Sequence, residues 1–180
     1  MTAVSRLLIY VLAGFVLVLL QMHAGYLFGQ TGIRPDFILS FVVMLGISAP
    51  LCRGAAICWG CGLALESVSC MQGGVLQIFF LGVFFLIRLT KKFLQFTTTV
   101  HVMVIVWCTQ LLKYGYLLFL FSYVYNYEFV FREMTRIWIF ETILTVGCSP
   151  VIFAFLRRLT GDRKDPLFDQ RLMHHGRCTQ

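Results

Sequence analysis

Apolar residues run along this chain in six stretches separated by short polar breaks. The stretches cover about residues 7–28, 37–49, 54–67, 75–89, 97–121 and 137–156. None but a short aromatic segment alternates with the period of two that marks a strand, so the pattern predicts helices. A helix needs about 20 apolar residues to cross a bilayer core. The first, fifth and sixth stretches meet that length. The second, bounded by Pro35 and Pro50, and the third and fourth fall short unless their flanks are included. Such segments are tilted, broken or shielded by neighbours. Six crossings are the expectation, with five crossings and one re-entrant segment as the alternative.

Composition changes the solvent. Of the 180 residues 59% are hydrophobic and only 13% are charged, against about 25% charged in soluble domains. That leaves too little polar surface to coat a water-soluble globule of this size. We expect one all-α membrane bundle of about six transmembrane helices over residues 1–159. A short basic tail follows over 160–180, polar and punctuated by Gly161 and Pro166. Arg6 and the apolar run after it resemble a signal peptide. The run continues without a small-x-small cleavage site, so a retained helix is expected.

Charge sets the orientation. The net charge of +7 forms no stripe or block of the kind that binds nucleic acid. With the N-terminus inside and six crossings, eleven of the fifteen Lys and Arg fall on the inner side. Three, Arg34, Arg132 and Arg136, fall outside, and Lys113 lies within the fifth stretch. The positive-inside rule then puts both termini in the cytoplasm.

Candidate chemistry is sparse. Asp36 starts the second stretch, Glu66 ends the third, Lys113 lies deep in the fifth and Glu141 lies one turn into the sixth. A charge at a helix centre costs roughly 2.5–3.5 kcal/mol on insertion scales. These residues are therefore expected to pair, snorkel or face a polar cavity, and Lys113 with Glu141 or Glu66 is the expected ion pair. Ala56, Gly60 and Ala64 form one row of small residues at spacing four, and Cys58, Gly62 and Glu66 form a second. Either row would bring helix backbones close in lipid. Cys58 and Cys61 make a C-x-x-C without the βαβ setting of a redox motif. The other cysteines of the seven mostly sit in apolar runs, where Cys acts as a small hydrophobe. His23 and His101 have no ligand partners at metal spacing, and His174 and His175 belong to the tail. No phosphate loop, nucleophile elbow or His-Glu-x-x-His occurs. We expect no catalysis, no cofactor and no metal.

Tyr123, Tyr125, Tyr127, Phe129 and Phe131 alternate strictly between the fifth and sixth stretches. Alternation predicts an extended outer loop, serving as an interfacial belt or as a docking edge for a partner.

Residues 34–86 resemble the MreD family of bacterial rod shape-determining membrane proteins. Arg34-Pro35-Asp36 resembles the family's opening of the second helix. Gly62-Leu63-Ala64-Leu65-Glu66 resembles its Gly-x-x-x-Asp at the end of the third, and Ser69 and Gly74-Val75 follow at its spacing. Glu66 stands where the family usually has Asp, and Cys70 where Gly is common. The chain after about residue 97 matches no motif of the family. The resemblance implies a non-catalytic component of the cell-elongation complex in the bacterial inner membrane. Its implied partners are an MreC-like membrane protein and, indirectly, MreB, RodA and a class B penicillin-binding protein in peptidoglycan synthesis. The implied fold resembles the substrate-binding subunit of energy-coupling factor transporters. The residues themselves offer a structural account of the motif. Pro35 suits the first turn of a helix and Asp36 complements its positive start. Two other classes stay open. One is a small-solute-binding subunit lined by Asp36, Glu66, Lys113 and Glu141, and the other is a thiol oxidoreductase using Cys58 and Cys61.

Overall fold

A computed structural model describes residues 3–27, 35–69, 74–91, 99–123 and 130–160. Six helices occupy them: α1 (Ala3–Leu27), α2 (Phe37–Ser48), α3 (Leu51–Ser69), α4 (Val75–Thr90), α5 (Thr99–Tyr123) and α6 (Val130–Thr160). No strand occurs among the described residues. Four of the helices, α1, α3, α5 and α6, are long and apolar enough to cross a membrane, and α2 and α4 are shorter. The fold is an all-α membrane bundle. Its outer face is studded with exposed Leu12, Phe15, Trp59, Phe85, Trp107, Phe140 and Phe155. So much apolar surface on a monomer in water would drive association, whereas lipid solvates it.

The helix boundaries follow local chemistry. Ala49 precedes Pro50 and is extended (φ −83°, ψ 151°), as the residue before proline favours. Pro50 then opens α3, where its missing N–H costs nothing, and its carbonyl accepts from the Gly54 N–H at 2.8 Å. Two expectations shift. The third helix reaches 19 residues and is a full-length candidate span. The sixth starts at Val130, not near residue 137. Apolarity marked where the stretch became hydrophobic, but Arg132 to Arg136 contains no Gly or Pro to stop a helix. Glu141 consequently stands about three turns into α6 rather than one. Near the other end of that helix Pro150 deprives the Val146 carbonyl of its usual donor. The Ser149 hydroxyl donates to that carbonyl at 2.8 Å instead.

The organising element is α2. Residues 38–46 of it are all buried, and it packs against every other helix. Phe41, Phe80, Phe84 and Leu45 form the dense centre. With 12 residues, α2 is only about 18 Å long, well short of the ~30 Å hydrocarbon core. At least one of its ends must therefore lie at hydrocarbon depth, where backbone groups need protein partners. Both ends have them. At the C-terminal end, Arg88 Nη1 donates to the Ala49 carbonyl at 2.7 Å and Lys91 Nζ donates to the Ile47 carbonyl. Two cations from α4 thus sit on the negative end of the α2 dipole.

Candidate functional site

The N-terminal end of α2 gathers three charged residues, Asp36, Lys113 and Glu141. Asp36 is its N-cap, and Oδ1 accepts from the Leu39 N–H at 3.0 Å. Asp36 has non-helical torsions, so Pro35 lies just before the cap rather than in the first turn, correcting the expectation for Pro35. Both residues are buried. Three neighbouring helices contribute partners. From α1, Gln21 Oε1 accepts from the Ile38 N–H at 3.2 Å. From α6, Thr145 Oγ1 accepts from the Asp36 N–H at 2.9 Å. From α5, Lys113 Nζ reaches Asp36 Oδ2 at 2.6 Å. One aspartate thus caps a helix with one oxygen and holds a cation with the other.

Lys113 also lies 3.5 Å from Glu141 Oε1. The sequence paired Lys113 with Glu141 or Glu66. The fold brings Glu141 and Asp36 to it and takes Glu66 elsewhere. Asp36 is fully buried, while the Lys113 and Glu141 side chains each keep 13% exposure. Around them lie Tyr114, whose hydroxyl is close to Glu141 and 3.4 Å from Gln110 Nε2, and Trp138, edge-on to Tyr114 at 4.5 Å. Gln110 Oε1 and Trp138 Nε1 are buried without a hydrogen-bond partner among the described residues. Sequence reasoning missed Gln21, Gln110, Tyr114 and Thr145. Gln110, Lys113 and Tyr114 at i, i+3 and i+4, and Glu141 and Thr145 at i and i+4, mark polar stripes on apolar helices. Those stripes were the available signal.

A second joint uses the Gly62–Glu66 motif. Glu66 ends in a pocket at the start of α4, where Oε1 accepts from the N–H groups of Leu76 (2.6 Å) and Gln77 (3.3 Å). Oε2 accepts from Gln77 Nε2 at 3.0 Å. The cap residue of α4, Gly74, has a left-handed φ of 74° and no side chain to offer, so the preceding helix supplies the capping carboxylate. Gly62 makes room for it. A Cβ there would lie 2.7 Å from the Gln77 Cα, backbone that cannot swing away. The spacing of four puts the close approach and the cap on one face of α3. That account, like the capping by Asp36, is structural. Arg34 lies outside the described residues.

The two rows of small residues on α3 behave differently. Cys58, Gly62 and Glu66 face inward. Ala56 and Gly60 are exposed, and nothing lies within 4 Å of a Cβ built on Gly60. The second row packs inside the bundle, whereas of the first only Ala64 lies against the core, and Ala56 and Gly60 meet no described helix of this chain. Inward orientation also governs the C-x-x-C: both thiols are free and both side chains lie in the apolar core. His23 bonds its own helix at the Leu19 carbonyl, His101 is exposed, and His174 and His175 lie outside the described residues. Among the described residues no group of His, Cys, Asp or Glu could hold a metal ion between three ligands.

Of the aromatic run, Tyr123 closes α5 and Phe131 lies in the first turn of α6, so both ends of the run are helical where an extended loop was expected. Tyr125, Tyr127 and Phe129 lie outside the described residues. Between α4 and α5 runs an open apolar groove of about 790 Å3, lined by Phe79, Gly82, Cys108, Leu112, Gly115 and Phe119 among others.

Fold and site together define an α-helical membrane protein built round a short buried helix with charge at both ends. No family model, curated protein or solved structure matches the chain.

Proposed function

We propose that this chain is a non-catalytic membrane scaffold of the MreD type, acting in the cell-elongation complex of the bacterial inner membrane. The observation that carries the reading is the fate of the motif residues. Asp36 and Glu66 each cap a helix too short to satisfy itself, and Gly62 lets two helices close on each other. The segments that resemble the family are thus those that build this bundle's two internal joints. What is left for partners is helix face, such as Ala56, Trp59 and Gly60 on α3. Small and aromatic residues on a lipid-facing helix suit contact with a partner helix. An MreC-like protein is the direct partner in this reading. MreB, RodA and a class B penicillin-binding protein follow indirectly, and both termini are cytoplasmic.

Co-purification of the tagged chain with an MreC-like protein, and rounding of cells on depletion, are the expected results. A reporter fused after Gln180 should be active in the cytoplasm. Rod-shaped depleted cells together with failure to retain any MreC-like protein would overturn the proposal. One observation favours a second reading, a small-solute-binding subunit: the buried group of Asp36, Lys113 and Glu141. That reading expects an adjacent ATPase gene and a ligand-induced rise in thermal stability. Glu66, committed to α4, would take no part in it.

A further inference from the structure

We propose that the group formed by Asp36, Lys113, Glu141 and Gln110 binds one exchangeable monovalent cation, either a proton or an alkali metal ion. The inference does not depend on which partner the chain has.

The case begins with a charge count. Two carboxylates and one ammonium carry a formal charge of −1 when all are ionised. Lys113 is matched to Asp36 at 2.6 Å and reaches Glu141 only at 3.5 Å. The surplus negative charge therefore sits on Glu141. An unmatched charge inside a bundle is costly, because the interior lacks the water that would solvate it. Duty separates the two acids further. Asp36 caps α2 and accepts from Lys113, whereas Glu141 caps nothing.

The independent observation is Gln110. It is fully buried on α5, and its Nε2 contacts the Tyr114 hydroxyl at 3.4 Å. Its Oε1 has no donor among the described residues, and a buried acceptor left alone costs about 1–3 kcal/mol. Tyr114 links the two, lying close to Glu141 as well as to Gln110. The Tyr114 hydroxyl thus lies between the Glu141 carboxylate and the Gln110 amide, whose Nε2 faces it and whose Oε1 lacks a donor among the described residues, and such surroundings suit a positive occupant. A proton on Glu141 meets the charge requirement, and so does a sodium or potassium ion. Among the described residues, the charged and titratable groups facing Glu141 are Asp36 from α2 and Lys113 and Tyr114 from α5. From α1 the nearby polar side chain is the uncharged Gln21, which bonds α2, and His23 is exposed and bonded to its own helix.

The test uses the full chain purified in detergent. Thermal midpoints are read from pH 5 to 9 in choline chloride, and at fixed pH across sodium and potassium concentrations, for the wild type and E141Q. A site occupied only in the folded state should move the midpoint about 3–5 °C per tenfold change in the ion's activity within the titrating range. The sign is fixed. The folded state binds the ion more tightly, so stability falls as pH rises in the proton arm and rises with salt in the metal arm. E141Q should abolish the wild-type slope in whichever arm shows it, and that arm identifies the ion. A flat wild type in both arms, or an equal slope in E141Q, overturns the proposal. Should E141Q fail to fold, a chain with Trp59 and Trp107 changed to Phe reports through Trp138, which packs edge-on against Tyr114. Its fluorescence should titrate with pH or salt, and an unresponsive signal would count equally against the site.

Discussion

Removing the Glu66 carboxylate should detach the start of α4 from α3. The substitution Glu66→Ala leaves the Leu76 and Gln77 N–H groups, now bonded at 2.6 and 3.3 Å, with no acceptor, and frees the Gln77 amide held at 3.0 Å. Gly74 offers no side-chain cap in compensation. A stranded buried donor costs about 1–3 kcal/mol, and hydrogen bonds to a charged group lie toward the top of that range. Loss of a helix cap alone costs about 0.5–2 kcal/mol. Because Gln77 is half-buried and regains some solvation, we take about 3 kcal/mol for the whole change. For a chain of this size that lowers the thermal midpoint by about 6–12 °C. Glu66→Gln keeps one acceptor oxygen and should lose roughly half as much. Ser67→Ala, which removes only an exposed bond to the Leu63 carbonyl, serves as the control and should change stability by no more than about 0.5 kcal/mol. The assay is tryptophan fluorescence during thermal unfolding in a mild detergent. A Glu66→Ala midpoint within about 1 °C of the Ser67→Ala control would refute the reasoning, since α4 would then start without the carboxylate.

Three further outcomes are expected. Gly62→Ala should destabilise by about 1–3 kcal/mol through its clash with the Gln77 backbone, while Gly60→Ala, which meets nothing, should be neutral or gain up to ~1 kcal/mol from helix propensity; equal effects in thermal unfolding would contradict the rotation of α3 described here. Lys113→Met should cost about 3–5 kcal/mol by stranding the Asp36 and Glu141 charges, and Asp36→Asn in the same chain should recover part of it, so additive losses in a double-mutant cycle would rule out the contact. Peptide mapping after maleimide labelling of the folded protein should find exposed Cys52 modified and buried Cys58 and Cys61 protected until denaturation; prompt labelling of Cys61 would place that face of α3 outside the core.

The helices were legible because apolarity and proline write them directly. Pro35 and Pro50 bracket α2, and the apolar runs mark the long helices to within a few residues, apart from the polar first turns of α6. Less visible was which helix is central. The shortest apolar run proved to be the buried hub, because length reports the distance crossed and says nothing of depth within the bundle. The Lys113 contacts were half legible. An intramembrane cation demands an anion, but the demand is met equally by Glu66, Asp36 or Glu141 in one dimension, and only packing separates them. Gln110 and Thr145 stayed hidden since a lone amide or hydroxyl in an apolar helix is compatible with bonding its own backbone, as Thr109 and Thr142 do here.

Lipid explains why the acids sit where they do. Between helices in a bilayer the hydrophobic drive is absent, because lipid tails are as apolar as leucine. Backbone groups exposed at the end of a short helix then become the largest local cost. The chain has two short helices and meets that cost with charge at their ends: Asp36 at the start of α2, Arg88 and Lys91 at its finish, and Glu66 at the start of α4. Once these assignments are made, acidic residues in this bundle cease to be marks of chemistry in themselves. Glu141 differs from Asp36 and Glu66 in having no helix end to serve, and its nearest cation already has a closer partner. A residue costly to bury and without a structural duty is the one whose substitution should separate function from stability. Glu141→Gln is therefore the change expected to leave the bundle folded while altering what it responds to.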